Sequence, residues 1–423
     1  MLKLTIDHIG SNGDGVATED NRPYYIPFTA PGDVITATLK EERGRGFIAE
    51  MTELQTPSSF RTKPACKHFG TCGGCSLQHI EDATLAEWKK NRIAEPLTRS
   101  GVLFDTIGET LTSPRASRRR VEFVALKRKK GVMIGYHLKK SHQIFDVGEC
   151  PILSPDLLAL VKPMRLMLPN IMARNSEARL TLTSTSNGPD LVISANILLD
   201  LEVREILALF GQEQGLSRIT LSNKKERFEE TVVTRKPASI QMDNFEVEVP
   251  PGSFLQATEE GQKALIALVK EHLPENKNII DLFSGSGSFT LPAAKISRKV
   301  HAFEGNEGMA LALQKSANKH MLPVTAEYRD LFRRPLVSDE LNFFDTAIID
   351  PPRAGAAAQV AELAMSTVSS IIFISCNPNS FARDAKTLSD GGYQLKKVIP
   401  VDQFLWSPHV ELFSVFEKPT GDS

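Results

Sequence analysis

Little in this chain is extreme, and each shortage narrows what it can be. Its 423 residues carry 50 Lys and Arg against 51 Asp and Glu, a formal charge of −1. With no basic excess overall, any nucleic-acid surface has to be a local patch. No apolar run approaches the roughly 18 residues that span a bilayer. The opening stretch, Met1-Leu2-Lys3-Leu4-Thr5-Ile6-Asp7, alternates like a strand and lacks the apolar core of a signal peptide. A cytoplasmic chain without membrane contact is the expectation. Cysteine is scarce, with Cys66, Cys72, Cys75, Cys150 and Cys376. An odd, small number in a cytosolic chain excludes a disulfide framework. The length exceeds one ordinary domain, so two or three are expected.

What is present divides the chain at about residues 56 and 250. Residues 1–56 offer short strands at Leu2–His8, Arg22–Ile26, Val34–Glu41 and Phe47–Leu54, separated by Asn12-Gly13-Asp14-Gly15, Pro31-Gly32 and Gly44-Arg45-Gly46. Evenly spaced short strands with such turns predict a small β-barrel of the oligonucleotide-binding type. Gly13-Asp14-Gly15-Val16-Ala17, Tyr25-Ile26-Pro27-Phe28 and Pro31-Gly32-Asp33-Val34 resemble the TRAM domain found on RNA-modifying enzymes. RNA is therefore the expected partner, against the plainer reading of an adaptor domain.

Residues 57–250 begin with Cys66-x5-Cys72-x2-Cys75, with Gly70, Gly73 and Gly74 interleaved. Glycines let a backbone wrap closely round a small inorganic core. Cys150, ahead of Pro151, supplies a fourth thiol. Four thiolates suit either Zn²⁺ or an iron–sulfur cluster; three close cysteines plus a distant one lean toward [4Fe–4S]. His68 and His79 read as bystanders. Ala83–Glu95 has a helical pattern that Pro96 is expected to stop. Residues 111–142 hold ten Lys or Arg against one acid, Glu122. Arg118-Arg119-Arg120, Lys127-Arg128-Lys129-Lys130 and Lys139-Lys140, with Tyr136, His137 and His142 nearby, predict a hairpin that presents a basic edge to phosphates. The bland alternative is a solvated charged turn. Arg179–Thr183 and Leu191–Ala195 read as paired strands.

Residues 251–423 carry apolar strand candidates at Asn278–Leu282, Lys299–Phe303, Val324–Tyr328, Asp345–Ile349, Ser370–Ser375, Tyr393–Pro400 and Glu411–Glu417. With helical stretches between the first five, these predict a doubly wound α/β sheet closed by an antiparallel hairpin. The first strand runs into Asp281-Leu282-Phe283-Ser284-Gly285-Ser286-Gly287. That turn admits a nucleotide-like ligand but has neither a third glycine nor a phosphate-gripping lysine. Glu304, Asp330 and Asp350 follow the next three strands. Acids at successive strand ends without a phosphate cradle point to S-adenosylmethionine over NAD or ATP. Taken singly, Glu304 and Asp330 read equally well as helix caps.

Ser253-Phe254-Leu255-Gln256, the Asp281–Gly287 turn, Asp350-Pro351-Pro352-Arg353-x-Gly355, Ser375-Cys376-Asn377-Pro378, Ala382-Arg383-Asp384 and His409-Val410-Glu411 resemble the RNA 5-methyluridine (uracil-C5) methyltransferases. With the barrel, the cysteines and Gly135-Tyr136…Cys150-Pro151, the resemblance covers nearly the whole chain. It is closest to the TRAM-domain iron–sulfur type that methylates 23S ribosomal RNA. The resemblance implies a class I S-adenosylmethionine-dependent methyltransferase domain, Rossmann-like, behind a TRAM barrel and a central domain holding a [4Fe–4S] cluster on Cys66, Cys72, Cys75 and Cys150. It implies cofactor contacts from Gln256, Phe283, Ser288, Glu304, Asp330 and Asp350, and a stacking role for Phe254.

The chemistry agrees. Uracil C5 becomes nucleophilic once a soft, ionisable group adds to C6, which suits Cys376. The adduct must then lose its C5 proton, and the resemblance gives that task to Glu411. Arg353 is expected to bind a phosphate or hold its loop. Two departures stand out. Leu405-Trp406-Ser407 replaces a common Pro-His-Thr, and Ser288 replaces a common asparagine. A monomer is expected. The alternatives are a tRNA enzyme, a non-catalytic iron–sulfur RNA-binding factor, and a small-molecule methyltransferase, which the barrel and basic hairpin disfavour.

Overall fold

The computed structural model describes residues 1–138, 143–223 and 228–419. Lys139, Lys140 and His142 of the expected basic hairpin lie outside them. Among the described residues no helix is long and apolar enough to cross a membrane.

The N-terminal strands form one six-stranded sheet in the order Leu2–Thr5, Val34–Arg43, Gly46–Thr56, Arg22–Ile26, Gly15–Glu19, His8–Ile9. Its two edge strands are consecutive in the chain, joined only by Ile6 and Asp7, so the sheet curls round its own apolar face. Leu4, Ile6, Tyr24, Ile26 and Ile35 fill that face. The expected strand Leu2–His8 is thus two, bent at the point of closure. Gly15 permits the bend, because a Cβ there would stand 2.0 Å from Thr29 Oγ1. Asp33 anchors the next segment. It accepts from Ala30 N (2.6 Å), Ser58 N (2.9 Å) and Arg61 Nε (2.8 Å). Burial would push its carboxyl up, but Arg61 and those amides hold it below the usual carboxylate range.

A central seven-stranded sheet runs from Ile144–Asp146 at one edge to Phe228–Thr234 at the other. Glu177–Thr183 and Asp190–Ser194 pair antiparallel within it, as the sequence pattern predicts. Arg120–Arg128 and Gly131–His137 form the expected hairpin, but its basic edge is only partly outward. Arg128, Lys129 and Lys130 are exposed. Lys127 instead donates to Pro169 O and Met172 O (2.5 and 2.6 Å). Arg119 is buried, with Nε on Gln256 O (3.0 Å) and Nη2 on Gln262 Oε1 (2.6 Å), while Arg120 Nη2 reaches Gly252 O (3.2 Å). Arg119 thus spends its donors on the Gln256 carbonyl and the Gln262 side chain and is withdrawn from phosphates, while half-buried Arg120 ties down the Gly252 carbonyl.

The C-terminal sheet has eight strands, ordered Val324–Tyr328, Lys299–Glu304, Asn278–Leu282, Thr346–Ile349, Ser370–Ser375, Glu411–Glu417, Gln394–Asp402, Leu111–Thr112. The first five are parallel, and the last strand of the chain inserts antiparallel between two others. Both faces are covered, which explains the near-continuous apolar runs. Ile371, Phe373, Phe381 and Phe416 lie in one core and Ile372, Ile374 and Phe413 in the other.

Two segments cross the sequence boundary expected at 250. The hairpin Ser239–Met242 and Phe245–Glu248 packs into one core through Ile240, Met242 and Val247. The helix Asp82–Arg99 packs into the other through Ile93 and Leu97. That helix continues a turn past Pro96, where a stop was expected. Proline removes one helical hydrogen bond, and the complete burial of Leu97 offsets the loss.

Candidate active site

One cavity opens at the carboxyl ends of the parallel strands. Cys376, Glu411, Gln256, Phe283, Ser288, Glu304, Asp330 and Asp350 all line it. The expected catalytic and cofactor-binding residues, drawn from 155 positions of chain, thus meet in one place. Phe254 lines it too and is 66% exposed, so it stands at the mouth.

The turn after Asn278–Leu282 shapes the cofactor side. Phe283 has φ +64°, a left-handed conformation unfavourable for a bulky residue. Its ring lies 5.4 Å from that of Phe332. Gly287, at φ +96°, has no room for a side chain, since a Cβ would stand 2.4 Å from Leu313 Cδ1. Glu304 ties this turn to the next strand, accepting from Gly285 N and Asn306 N, both at 2.8 Å. Asp330 accepts from Phe332 N (3.0 Å). Gln256 is buried, its Nε2 3.4 Å from Asp350 Oδ2 and its Oε1 accepting from Gln403 Nε2 at 2.7 Å. The sequence reading missed Gln403, Phe332 and the buried hydroxyls of Ser284 and Ser286. Neither hydroxyl has a hydrogen-bond partner among the described residues, and both line the cavity. Nothing in their residue types marks them beforehand.

Strand register brings Cys376 and Glu411 together. Ser375 pairs with Leu412, so Cys376 and Glu411 emerge side by side where parallel and antiparallel strands meet. Asn377 caps the helix Pro378–Asp390 and gives Nδ2 to Arg353 O (2.9 Å). Ser380 Oγ donates to the same carbonyl (3.1 Å), Arg383 Nη2 to Ala354 O (3.1 Å), and Asp384 accepts from Ala356 N (2.9 Å). These ties fasten the 350–355 loop to that helix. Gly355, at φ +78°, is required because a Cβ would lie 2.5 Å from both Arg383 and Asp384.

The cavity is rich in acid. Burial, then the charge of Glu304, pushes Asp350 up to about 7. Asp281, behind the turn with Oδ2 on Thr290 Oγ1 (2.5 Å), is pushed to about 7, first by burial. Glu411 is raised well above an ordinary glutamate by burial and by Asp350. Burial, then Glu411 and Asp350, pushes the Cys376 thiol up to about 12, while Arg353 pulls it down. Such a site favours a cationic ligand, whose charge lets the acids ionise.

The other four cysteines surround a second, smaller cavity with His68 and Phe145. None is in a disulfide. Burial pushes Cys75 up to about 11, and the charges of Cys150, Cys72 and Cys66 push the same way. Among the described residues no group of three or more His, Cys, Asp or Glu stands close enough to hold one metal ion. His79 is engaged elsewhere, with Nε2 3.1 Å from Thr29 O.

The family described as tRNA (uracil-5-)-methyltransferase matches residues 202–418. An uncharacterized RNA methyltransferase of Rhizobium meliloti is 38% identical over 98% of this chain and 99% of its own. The 23S rRNA (uracil(1939)-C(5))-methyltransferase RlmD of Pectobacterium atrosepticum is 28% identical over 99% of this chain and 94% of its own. Among solved structures, the Pyrococcus abyssi tRNA (uracil-54, C5)-methyltransferase, crystallised with S-adenosyl-L-homocysteine, superposes with a TM-score of 0.78 at 22% identity, over 98% of this chain and 99% of its own.

Proposed function

The chain belongs to the tRNA (uracil-5-)-methyltransferase family, an S-adenosylmethionine-dependent RNA methyltransferase with the class I fold, and from that premise we propose that it methylates C5 of a uridine in 23S ribosomal RNA through a covalent adduct on Cys376. The observation that carries this is the register that sets Cys376 beside Glu411 in the cavity lined by the glycine turn.

Bound S-adenosylmethionine supplies a methyl group on a sulfonium, and Gln256, Phe283, Ser288, Glu304, Asp330 and Asp350 hold it. Phe254 stacks on the extruded uracil at the mouth. Cys376 Sγ bonds to C6, the C5=C6 double bond opens, and C5 takes the methyl group. Glu411 then removes the C5 proton, and the freed electron pair restores the double bond and expels the thiolate. The N-terminus of the helix Pro378–Asp390 and Arg353 favour that thiolate.

The acids make cofactor binding pH-dependent. Asp281 and Asp350, near 7 in the folded protein, ionise near 4 in an unfolded chain. Between those values the folded state holds more protons, so their contribution to ligand-free stability falls as pH rises from about 4 to about 7 and is flat above. A cation favours their ionised forms, so affinity for S-adenosylmethionine should rise with pH below about 7, by up to about tenfold per unit for each proton released, and then level off. Titration calorimetry in buffers of different ionisation enthalpy measures this; a pH-independent affinity without proton release would count against it.

In this reading residues 1–56 are a TRAM barrel that grips RNA, 57–250 the iron–sulfur and RNA-binding domain, and 251–423 the methyltransferase domain. The four thiols fit a [4Fe–4S] cluster. They line one cavity, where burial first and neighbouring thiol charge second push Cys72, Cys75 and Cys150 up, a cost that a cationic core of several irons would relieve. Their role is structural, because methyl transfer needs no electron. Iron and sulfide analysis of protein purified without oxygen tests this; zinc in their place would overturn it.

Ribosomal RNA is favoured because, of two relatives that both run the length of the chain, the 23S enzyme is 28% identical and the tRNA enzyme 22%. Mapping 5-methyluridine in a deletion strain should show one site lost from 23S RNA and tRNA unchanged. Loss from tRNA alone would reassign the substrate.

A further inference from the structure

The loop leading into Glu411 is held from outside the catalytic sheet. Trp406 O accepts from Ser76 N (3.0 Å) and Leu77 N (3.1 Å), the residues directly after Cys75. Its indole Nε1 donates to Asp82 Oδ1 (3.1 Å), at the start of the helix Asp82–Arg99. Lys89, fully buried on that helix, pairs with Asp402 Oδ1 (2.5 Å) and donates to Phe404 O (3.1 Å), and Arg92 donates to Pro408 O. Trp406 is 2% exposed in a small core with Ile9, Leu77, Ile80 and Leu85, and Cys75 and Ile152 pack against it. Its φ is +58°. A tryptophan keeps that left-handed conformation only where its surroundings impose it.

We propose that Trp406 is the positioning residue of Glu411, and that the cysteine loop sets it through the amides of Ser76 and Leu77. Four residues separate the imposed turn from the carboxylate, and Val410, fully buried, fixes the last of them in the core. A displaced Trp406 therefore shifts the start of the strand Glu411–Glu417. The effect falls on one step. Addition of Cys376 to C6 and methyl transfer do not use Glu411, whereas loss of the C5 proton does. The inference rests on Glu411 being the base.

Trp406→Ala should still bind S-adenosylmethionine and form the adduct with 5-fluorouridine RNA, which has no C5 proton to lose. On ordinary RNA its turnover should fall about a hundredfold, the scale of a misplaced catalytic group. Methylated RNA should meanwhile accumulate bound to Cys376, seen as a denaturation-resistant band in the presence of cofactor. If the alanine variant does not fold, Trp406→Phe, which keeps an aromatic ring in the core but gives up the Asp82 hydrogen bond and part of the contact with Arg115, should show the same accumulation to a smaller extent. Glu411→Gln is run alongside. If Glu411→Gln traps methylated RNA and the Trp406 variants do not, or if they lose cofactor binding and 5-fluorouridine adduct formation in step with turnover, the positioning role is wrong and the base assignment stands. If Glu411→Gln itself traps nothing, the base assignment is wrong.

Discussion

Cys376→Ala should abolish methyl transfer, by about four orders of magnitude or more, the scale on which removing a covalent nucleophile acts, while leaving cofactor and RNA binding in place. The expectation rests on geometry. Cys376 is the one cysteine in the acidic cavity, and the other four line a different one. No second sulfur can substitute. The side chain is half-buried and no hydrogen bond of the 350–355 loop depends on its sulfur, so alanine should leave the pocket standing. RNA containing 5-fluorouridine should form a denaturation-resistant adduct with the parent protein and none with the variant. A variant that still forms the adduct would move the nucleophile elsewhere.

Glu411→Gln should behave differently, and the difference is diagnostic. Turnover should drop by about 10²–10⁴, the usual contribution of general acid–base catalysis. The first half of the reaction should survive, so methylated RNA stays attached to Cys376. Glutamine is close in size to glutamate and keeps the buried position while removing the proton acceptor. It also removes a charge that pushes Cys376 toward its protonated form. Adduct formation should therefore be no slower than in the parent, and denaturing electrophoresis of the RNA complex together with single-turnover methyl transfer separates the two halves. Equal loss of both would exclude Glu411 as the base.

Much of the catalytic sheet was legible because its strands are buried on both faces. Continuous apolar runs such as Ile371–Ile374 leave no other element to assign. Gly285, Gly287 and Gly355 stood out for a reason the structure bears on directly, since each sits at positive φ. What could not be read was pairing. Neither Cys376 nor Glu411 carries any sign of the other; only the Ser375–Leu412 register joins them. Within the Arg118–Arg120 run Arg119 could not be told from its neighbours, because three adjacent charges look alike and the Gln256 carbonyl that occupies it lies 137 positions away in the chain. The two-residue strand Leu111–Thr112 is too short for any period to show. Trp406 registered only as a departure from a pattern, because its partners at Ser76, Leu77 and Asp82 are more than 300 residues distant.

The order in which the layers are strung has a consequence of its own. The catalytic layer takes its outermost strand and a packed helix from residues before 113, and its core resumes with the hairpin that starts at Ser239. Between them the chain makes a complete seven-stranded sheet with its own core. The two points where it departs and returns are neighbours, since Arg119 O and Ser239 O accept from Ser184 N and Ser186 N (2.8 and 2.7 Å). The central layer is thus a guest threaded through one opening of its host, the arrangement that best tolerates exchange. A related guest grafted across the same two points could redirect the enzyme to a different RNA without touching the residues that move the methyl group, provided it keeps an arginine to hold Gln256.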